Sequence, residues 1–280
     1  MIGQIKLVEQ LEGLVNEGKF PKFSILVGPQ GCGKKTLAIQ IANELAPVVY
    51  LAEDVKIETL RGIMENAYKP SVSPKVYILP DADTMSPNAK NSILKITEEP
   101  PKNAYFIMTV QNIDNVLDTI RSRAQTFQFL YYTAEELREF ALTNCSMTND
   151  EFRSIRSICE VPGDIIEICR YGCKSFIEYV EKVVDNIAEV SGANSFKIAD
   201  KIAMKNEEDK FGLQLFLKAF VDVCFNRVYN DGHLIADKHK YLIGIHITSR
   251  YISQLRTTGI NKQMVFDSWL LEIRNSWITN

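Results

Sequence analysis

The sequence predicts an α/β domain built on a parallel sheet, followed by a largely helical C-terminal half. Three observations carry that reading. Over roughly the first 130 residues, short apolar runs alternate with segments of helical period. A glycine-rich turn, GPQGCGKKT (Gly28 to Thr36), joins one apolar run directly to the next helix. Beyond Thr133 nearly every segment keeps the helical spacing of apolar residues.

The elements follow in order. Ile5, Val8, Leu11 and Val15 recur at helical spacing, and Gly18 stops that helix. KFSILVG is a short strand entering the glycine turn, and KKTLAIQIANELA is the helix leaving it. PVVYLA and VKIETLRGIMENAYK form the second strand and helix, KVYILP and NAKNSILKITEE the third pair, and AYFIMTV a fourth strand. After SRAQTFQF the pattern changes. Thr133 and Glu136 are spaced as a capping box at the head of TAEELREFAL. The helix DEFRSIRSICE ends at the breaker VPGD, IIEICRYG follows, and CKSFIEYVEKVVDNIAEV runs to the soft segment SGANS. FKIADKIAM, FGLQLFLKAFVDVCFNRVYND and KYLIGIHITSRYISQLRTTG all read as helices. Three blocks result: residues 1–132, 133–172 and 173–280, the last boundary falling anywhere between Cys173 and Ser195.

Composition bounds the class. An apolar content of 46% with 24% charged residues, over 280 residues, suits a globular protein with ample core. A net charge of −3 argues against a broadly basic nucleic-acid coat, though not against local basic patches. No run approaches the ~20 apolar residues of a membrane span. The opening MIGQIKLVEQLEGL reads as an amphipathic helix rather than a secretion signal. Six scattered cysteines suit a reducing, cytoplasmic compartment. Cys169 and Cys173 are four apart, but no second close pair completes a zinc site. His233, His239 and His246 have no ligand spacing and read as structural.

The turn at Gly28 to Thr36 carries the chemistry. Gly28, Gly31 and Gly33 let successive backbone N–H groups, that of Cys32 included, face an anion at a helix N-terminus, and Lys34 is spaced to reach phosphate oxygens. The usual pattern then asks for a hydroxyl that ligates Mg²⁺. Lys35 stands there instead, with Thr36 one position late. A second metal ligand is expected from an aspartate ending a later strand. The candidate strand, VYILPDAD, offers Pro80 and then Asp81; Asp81 or Asp83 would have to act out of register. The loop therefore suits ATP or ADP at a degenerate site and provides poorly for magnesium.

Further stretches are more specific. SPNAKNSILKITEEPP (Ser86 to Pro101) is similar to the clamp-loader helix ending in Glu-Glu-Pro-Pro, and TIRSRAQTFQF (Thr119 to Phe129) resembles the Ser-Arg-Cys motif, with Ala124 in the cysteine position. The chain resembles the bacterial DNA polymerase III clamp-loader family, and among its subunits delta-prime most closely. The resemblance implies an AAA+ domain (P-loop, RecA-like parallel sheet), a small helical lid and an all-α collar that joins subunits. It implies as partners motor and delta-like subunits, the sliding clamp and primed DNA, and no membrane.

Residue by residue, the resemblance makes Arg123 a finger acting in trans on a neighbour's ATP, where a guanidinium stabilises charge on the transferring phosphoryl group. Ile165 and Ile166 stand near where motor subunits place a phosphate-sensing arginine, and Arg170 lies about a turn late. Ser86, Asn88, Lys90 and Asn91 are DNA-contact candidates, with Lys90 equally readable as an ordinary solvated residue. Trp269 and Trp277 read as collar packing. The family's four-cysteine zinc module is absent between the loop helix and the next core strand, so no metal is expected. The leading expectation is a subunit that does not hydrolyse ATP itself but completes a neighbour's site. The alternative is an AAA+ ATPase of the motor type.

Overall fold

The computed structural model describes residues 3–187, 212–229, 235–255 and 261–279. The segment Phe196–Met204, read above as helical, lies outside the described residues. Two compact units appear: Met1–Phe140 with Val161–Gly163, and Ala141–Glu160 with Asp164–Asn280.

The first unit holds a five-stranded, all-parallel sheet in the order β2-β3-β4-β1-β5. Its strands are β1 (Phe23–Val27), β2 (Val48–Leu51), β3 (Lys75–Leu79), β4 (Ala104–Val110) and β5 (Gln125–Gln128). The helices are α1 (Ile5–Asn16), α2 (Lys34–Leu45), α3 (Ile57–Tyr68), α4 (Pro87–Ser92), α5 (Leu94–Glu98) and α6 (Asp118–Arg121). The central strands are apolar along their length because helices cover both faces of a parallel sheet. Aromatic rings cross four strands in register: Phe23 stacks on Phe106 at 5.6 Å, Phe106 on Tyr77 at 5.2 Å, and Tyr77 on Tyr50 at 5.0 Å.

Two details differ from the sequence reading. β5 was not expected: its QTFQ is short and polar, and as an edge strand it buries Phe127 while its other residues face outward. The helix read as continuous from Asn88 is broken at Ile93 into α4 and α5. The Ser92 hydroxyl donates to the Ala89 carbonyl just before the break, a local bond that competes with the helical ladder.

α7 (Ala134–Asn144) begins at the expected capping box: the Thr133 amide donates to Glu136 at 2.7 Å, and the Glu136 amide to the Thr133 hydroxyl at 3.2 Å. In the second unit Thr148 and Glu151 form another such box at the head of α8 (Asn149–Ile155). α9 (Pro162–Tyr171) starts on the VPGD segment that reads as a breaker, because proline is well suited to a first helical position. α10 (Cys173–Asn186), α11 (Gly212–Tyr229), α12 (Ile235–Leu255) and α13 (Lys262–Thr279) complete the unit. Trp269 is fully buried there, edge-on to Phe220 at 5.0 Å, with its indole N–H donating to Thr248 at 2.9 Å. Trp277 packs against Phe220 and Tyr241. Both tryptophans are core, and His239 and His246 are exposed on α12.

Candidate functional site

The glycine turn leaves the carboxyl end of β1, which sits between β4 and β5 where the strand order reverses. Open parallel sheets form their ligand crevices at such a point. Gly31 and Gly33 have φ of 81° and 96°, a backbone region that favours glycine, and Gly33 caps α2. Such a backbone is suited to turning amides toward an anion.

The loop's lysine and several of its carbonyls are already engaged. The buried Lys34 ammonium donates to the carbonyls of Gly28 at 2.7 Å and Pro29 at 2.8 Å. Burial lowers its pKa, opposed by Cys32, Asp81 and Asp83. Tyr132 donates its hydroxyl to the Cys32 carbonyl at 2.7 Å, and the Gly163 amide donates to the Gly31 carbonyl at 3.0 Å. Gly163 lies so close that a Cβ there would stand 2.6 Å from the Gly31 Cα. Burial also pushes the Cys32 thiol up, against the lowering influence of Lys34. A phosphate entering this loop would have to draw Lys34 away from two carbonyls.

The donor set does not fit a catalytic magnesium ion. Lys35 is exposed and carries no oxygen, and Thr36 is exposed on the following position of α2. Pro80 offers no side-chain ligand at the end of β3. Asp81 adopts a left-handed conformation (φ 47°, ψ 42°), its amide held by the Thr109 hydroxyl at 3.1 Å, and it is exposed. Asp83 is buried, and one of its oxygens accepts from the amides of Gln111 and Asn112 at 3.1 Å each. Asp83 thus fixes the turn after β4, a role that spacing alone did not reveal.

The remaining predicted residues lie elsewhere on the unit. Ser86 caps α4, accepting from the Ala89 amide at 3.2 Å. Lys90 is half-buried and donates to the Asn115 carbonyl at 2.6 Å, whereas Asn88 and Asn91 are exposed. In the second unit Ile165 is buried, and Ile166 and Arg170 are exposed.

Arg123 is decisive for geometry. It stands two residues before β5, and Gln125 is level with Ser24 in the parallel register. The turn at Gly28 begins beyond Val27, at the opposite end of the strands. At ~3.3 Å per residue the strands alone separate those ends by about 10 Å. Arg123 is exposed, and it is not among the principal charges acting on Lys34. Its guanidinium donates to the Thr119 carbonyl at 2.8 Å and approaches Glu98 at 3.4 Å. The glycine turn and Arg123 lie at opposite ends of two adjacent strands, β1 and β5.

Comparison with known proteins agrees with this architecture. A family profile described as DNA polymerase III, delta subunit, matches residues 48–132. The chain is 28% identical over 169 residues to the DNA polymerase III subunit gamma of Buchnera aphidicola from Schizaphis graminum, covering 50% of this chain and 47% of that protein. It is 27% identical over 167 residues to the DNA polymerase III subunit delta' of Bacillus subtilis, covering 58% and 50%. The chain thus spans about half the length of the curated relatives it matches. A DNA polymerase III gamma subunit-related protein from Thermotoga maritima shares the fold, with a TM-score of 0.56, 16% identity and coverage of 95% and 99%. The fold is a parallel-sheet α/β fold with much helix, like that of this clamp-loader-related protein. By sequence the chain is related to the delta-subunit-like clamp-loader proteins of DNA polymerase III, with gamma, tau and delta' homologues. Among the described residues no helix is long and apolar enough to cross a membrane.

Proposed function

We propose that this chain is a delta-prime-like clamp-loader subunit that does not hydrolyse ATP itself but supplies Arg123 to a neighbouring subunit's ATP. The observation that supports the reading is the placement of Arg123 and the phosphate loop at opposite ends of the adjacent strands β5 and β1. An arginine at that end is unsuited to its own loop and suited to a neighbour's. The donor set agrees, since Lys35 and Pro80 stand where metal-binding oxygens are needed. In the neighbour, water attacks the γ-phosphorus, forming one P–O bond as the bond to the β,γ-bridging oxygen breaks and ADP departs. The water's proton leaves through a base of that neighbour. Arg123 stabilises the charge on the transferring oxygens.

The work done is placement of a sliding clamp on primed DNA, with motor subunits, a delta-like subunit and the clamp as partners. Asn88 and Asn91 remain candidates for phosphate contact, and Lys90 would first have to leave Asn115.

The test is steady-state ATP turnover in a complex of this chain with the same organism's motor subunit, clamp and primed DNA. Wild type stimulates turnover, Arg123→Ala loses that stimulation by roughly 10³-fold or more, and Lys35→Thr behaves as wild type. Undiminished turnover with Arg123→Ala refutes the trans role. Brisk turnover by this chain alone favours the motor-type reading instead.

A further inference from the structure

The fold brings together two charged residues from separate sequence signatures. Glu98 is the last residue of α5, and Arg123 follows α6. One Glu98 oxygen lies 3.4 Å from a terminal nitrogen of Arg123, while the other terminal nitrogen donates to Thr119. We propose that Glu98 is a positioning residue for Arg123, holding the guanidinium outward at this end of β5 until a neighbour's phosphates draw it away. The inference rests on the trans role of Arg123 proposed above.

A free arginine side chain samples many rotamers, and only a small fraction would point at an incoming phosphate. Two anchors restrict that search. The Thr119 carbonyl, four residues back along the chain, fixes one end of the guanidinium plane, and Glu98 fixes the other from α5. Holding a reacting group near its productive geometry lowers the barrier to its use, and small misplacements are costly.

The anchoring also has to be reversible. The Arg123 and Glu98 side chains are 40% and 54% exposed, and an ion pair that open to water is weak. A triphosphate, with several charges in bidentate reach, competes well against one solvated carboxylate. Arg121, two residues earlier, makes the contrast. It is bound to two carboxylates, Asp114 at 3.4 Å and Asp118 at 3.0 Å, both from its own stretch of chain. Its charge faces two carboxylates, whereas that of Arg123 faces one carboxylate and one neutral carbonyl. The arrangement singles out Arg123 as the deliverable cation and Glu98 as its holder.

The experiment measures kcat and KM for ATP in the same reconstituted complex, with thermal midpoints for each variant. Glu98→Ala is expected to lower kcat about tenfold, with KM and the thermal midpoint unchanged. Glu98→Gln, which keeps an acceptor without the charge, is expected to fall between Glu98→Ala and wild type. In an Arg123→Ala background Glu98→Ala should cause no further loss, since there is nothing left to position. Wild-type or raised kcat in Glu98→Ala, while Arg123→Ala is slow, overturns the positioning role and leaves the trans role standing. A further loss in the double variant overturns it too. Full turnover in Arg123→Ala removes the trans role itself, so the two failures are distinguishable.

Discussion

Replacing Gly163 with alanine tests how tightly the chain after α8 is held on the phosphate loop. The added Cβ would lie 2.6 Å from the Gly31 Cα, 3.1 Å from the Gly31 oxygen and 3.3 Å from its carbonyl carbon. All three are backbone atoms, so no rotamer change relieves them, and carbon atoms ordinarily meet at ~3.5–4.0 Å. Moving apart by about 1 Å on that scale weakens the 3.0 Å bond from the Gly163 amide to the Gly31 carbonyl. Losing such a bond costs about 1 kcal/mol, and overpacking adds ~1–3 kcal/mol. Alanine is intrinsically the better helix former by up to ~1 kcal/mol at this position in α9. The net expectation is a destabilisation of about 1–3 kcal/mol, read as a lower urea midpoint, with faster amide exchange at residue 163. A variant as stable as wild type, with unchanged exchange, would refute the close packing.

Two further expectations concern the second unit. Lys218→Met removes the cation 3.7 Å from Asp164, whose side chain is 1% exposed, and should cost about 3 kcal/mol in urea unfolding. Adding Asp164→Asn should recover part of that loss; a double variant no better than the single one would show that the pair is not coupled. Burial pushes the Cys224 thiol well above its ordinary 9.0. Below about pH 9 both folded and unfolded chains keep this proton. Above that the unfolded chain ionises first, so stability falls with rising pH by up to ~1.4 kcal/mol per pH unit for this thiol. Cys224→Ala should therefore lose less stability than wild type between about pH 8 and pH 10, and parallel pH profiles would contradict this.

Much of the first unit is legible from residue pattern. β1, β3 and β4 are buried on both faces, so they appear as nearly continuous apolar runs, and the glycines mark the turn beyond β1. β5 escaped because its buried ring, Phe127, is flanked by exposed polar residues. The alternation of Phe127 and Phe129 is a signal that could have revealed it. VPGD reads as an interruption, yet its proline opens a helix and its glycine meets the phosphate loop. Only tertiary proximity explains why a side chain is excluded at residue 163. The pairing of Glu98 with Arg123 was equally hidden. Half-exposed charges from separate stretches of chain impose no period on the sequence, and each motif is complete without the other. The engagement of Lys34 by Gly28 and Pro29 likewise belongs to the folded loop rather than to its spelling.

The opposition of the two ends of these strands gives the domain a polarity. If such domains associate head to tail, each offers an arginine-bearing face to one neighbour and a loop-bearing face to the other, as heterologous contacts do. Under the proposed function this chain has a working first face and a second that lacks the metal-binding oxygens. It can complete a neighbour's site, but no neighbour's arginine would give it turnover in return. Such a molecule belongs at the end of a row, where one copy fixes both the direction of the row and the place at which successive firing stops.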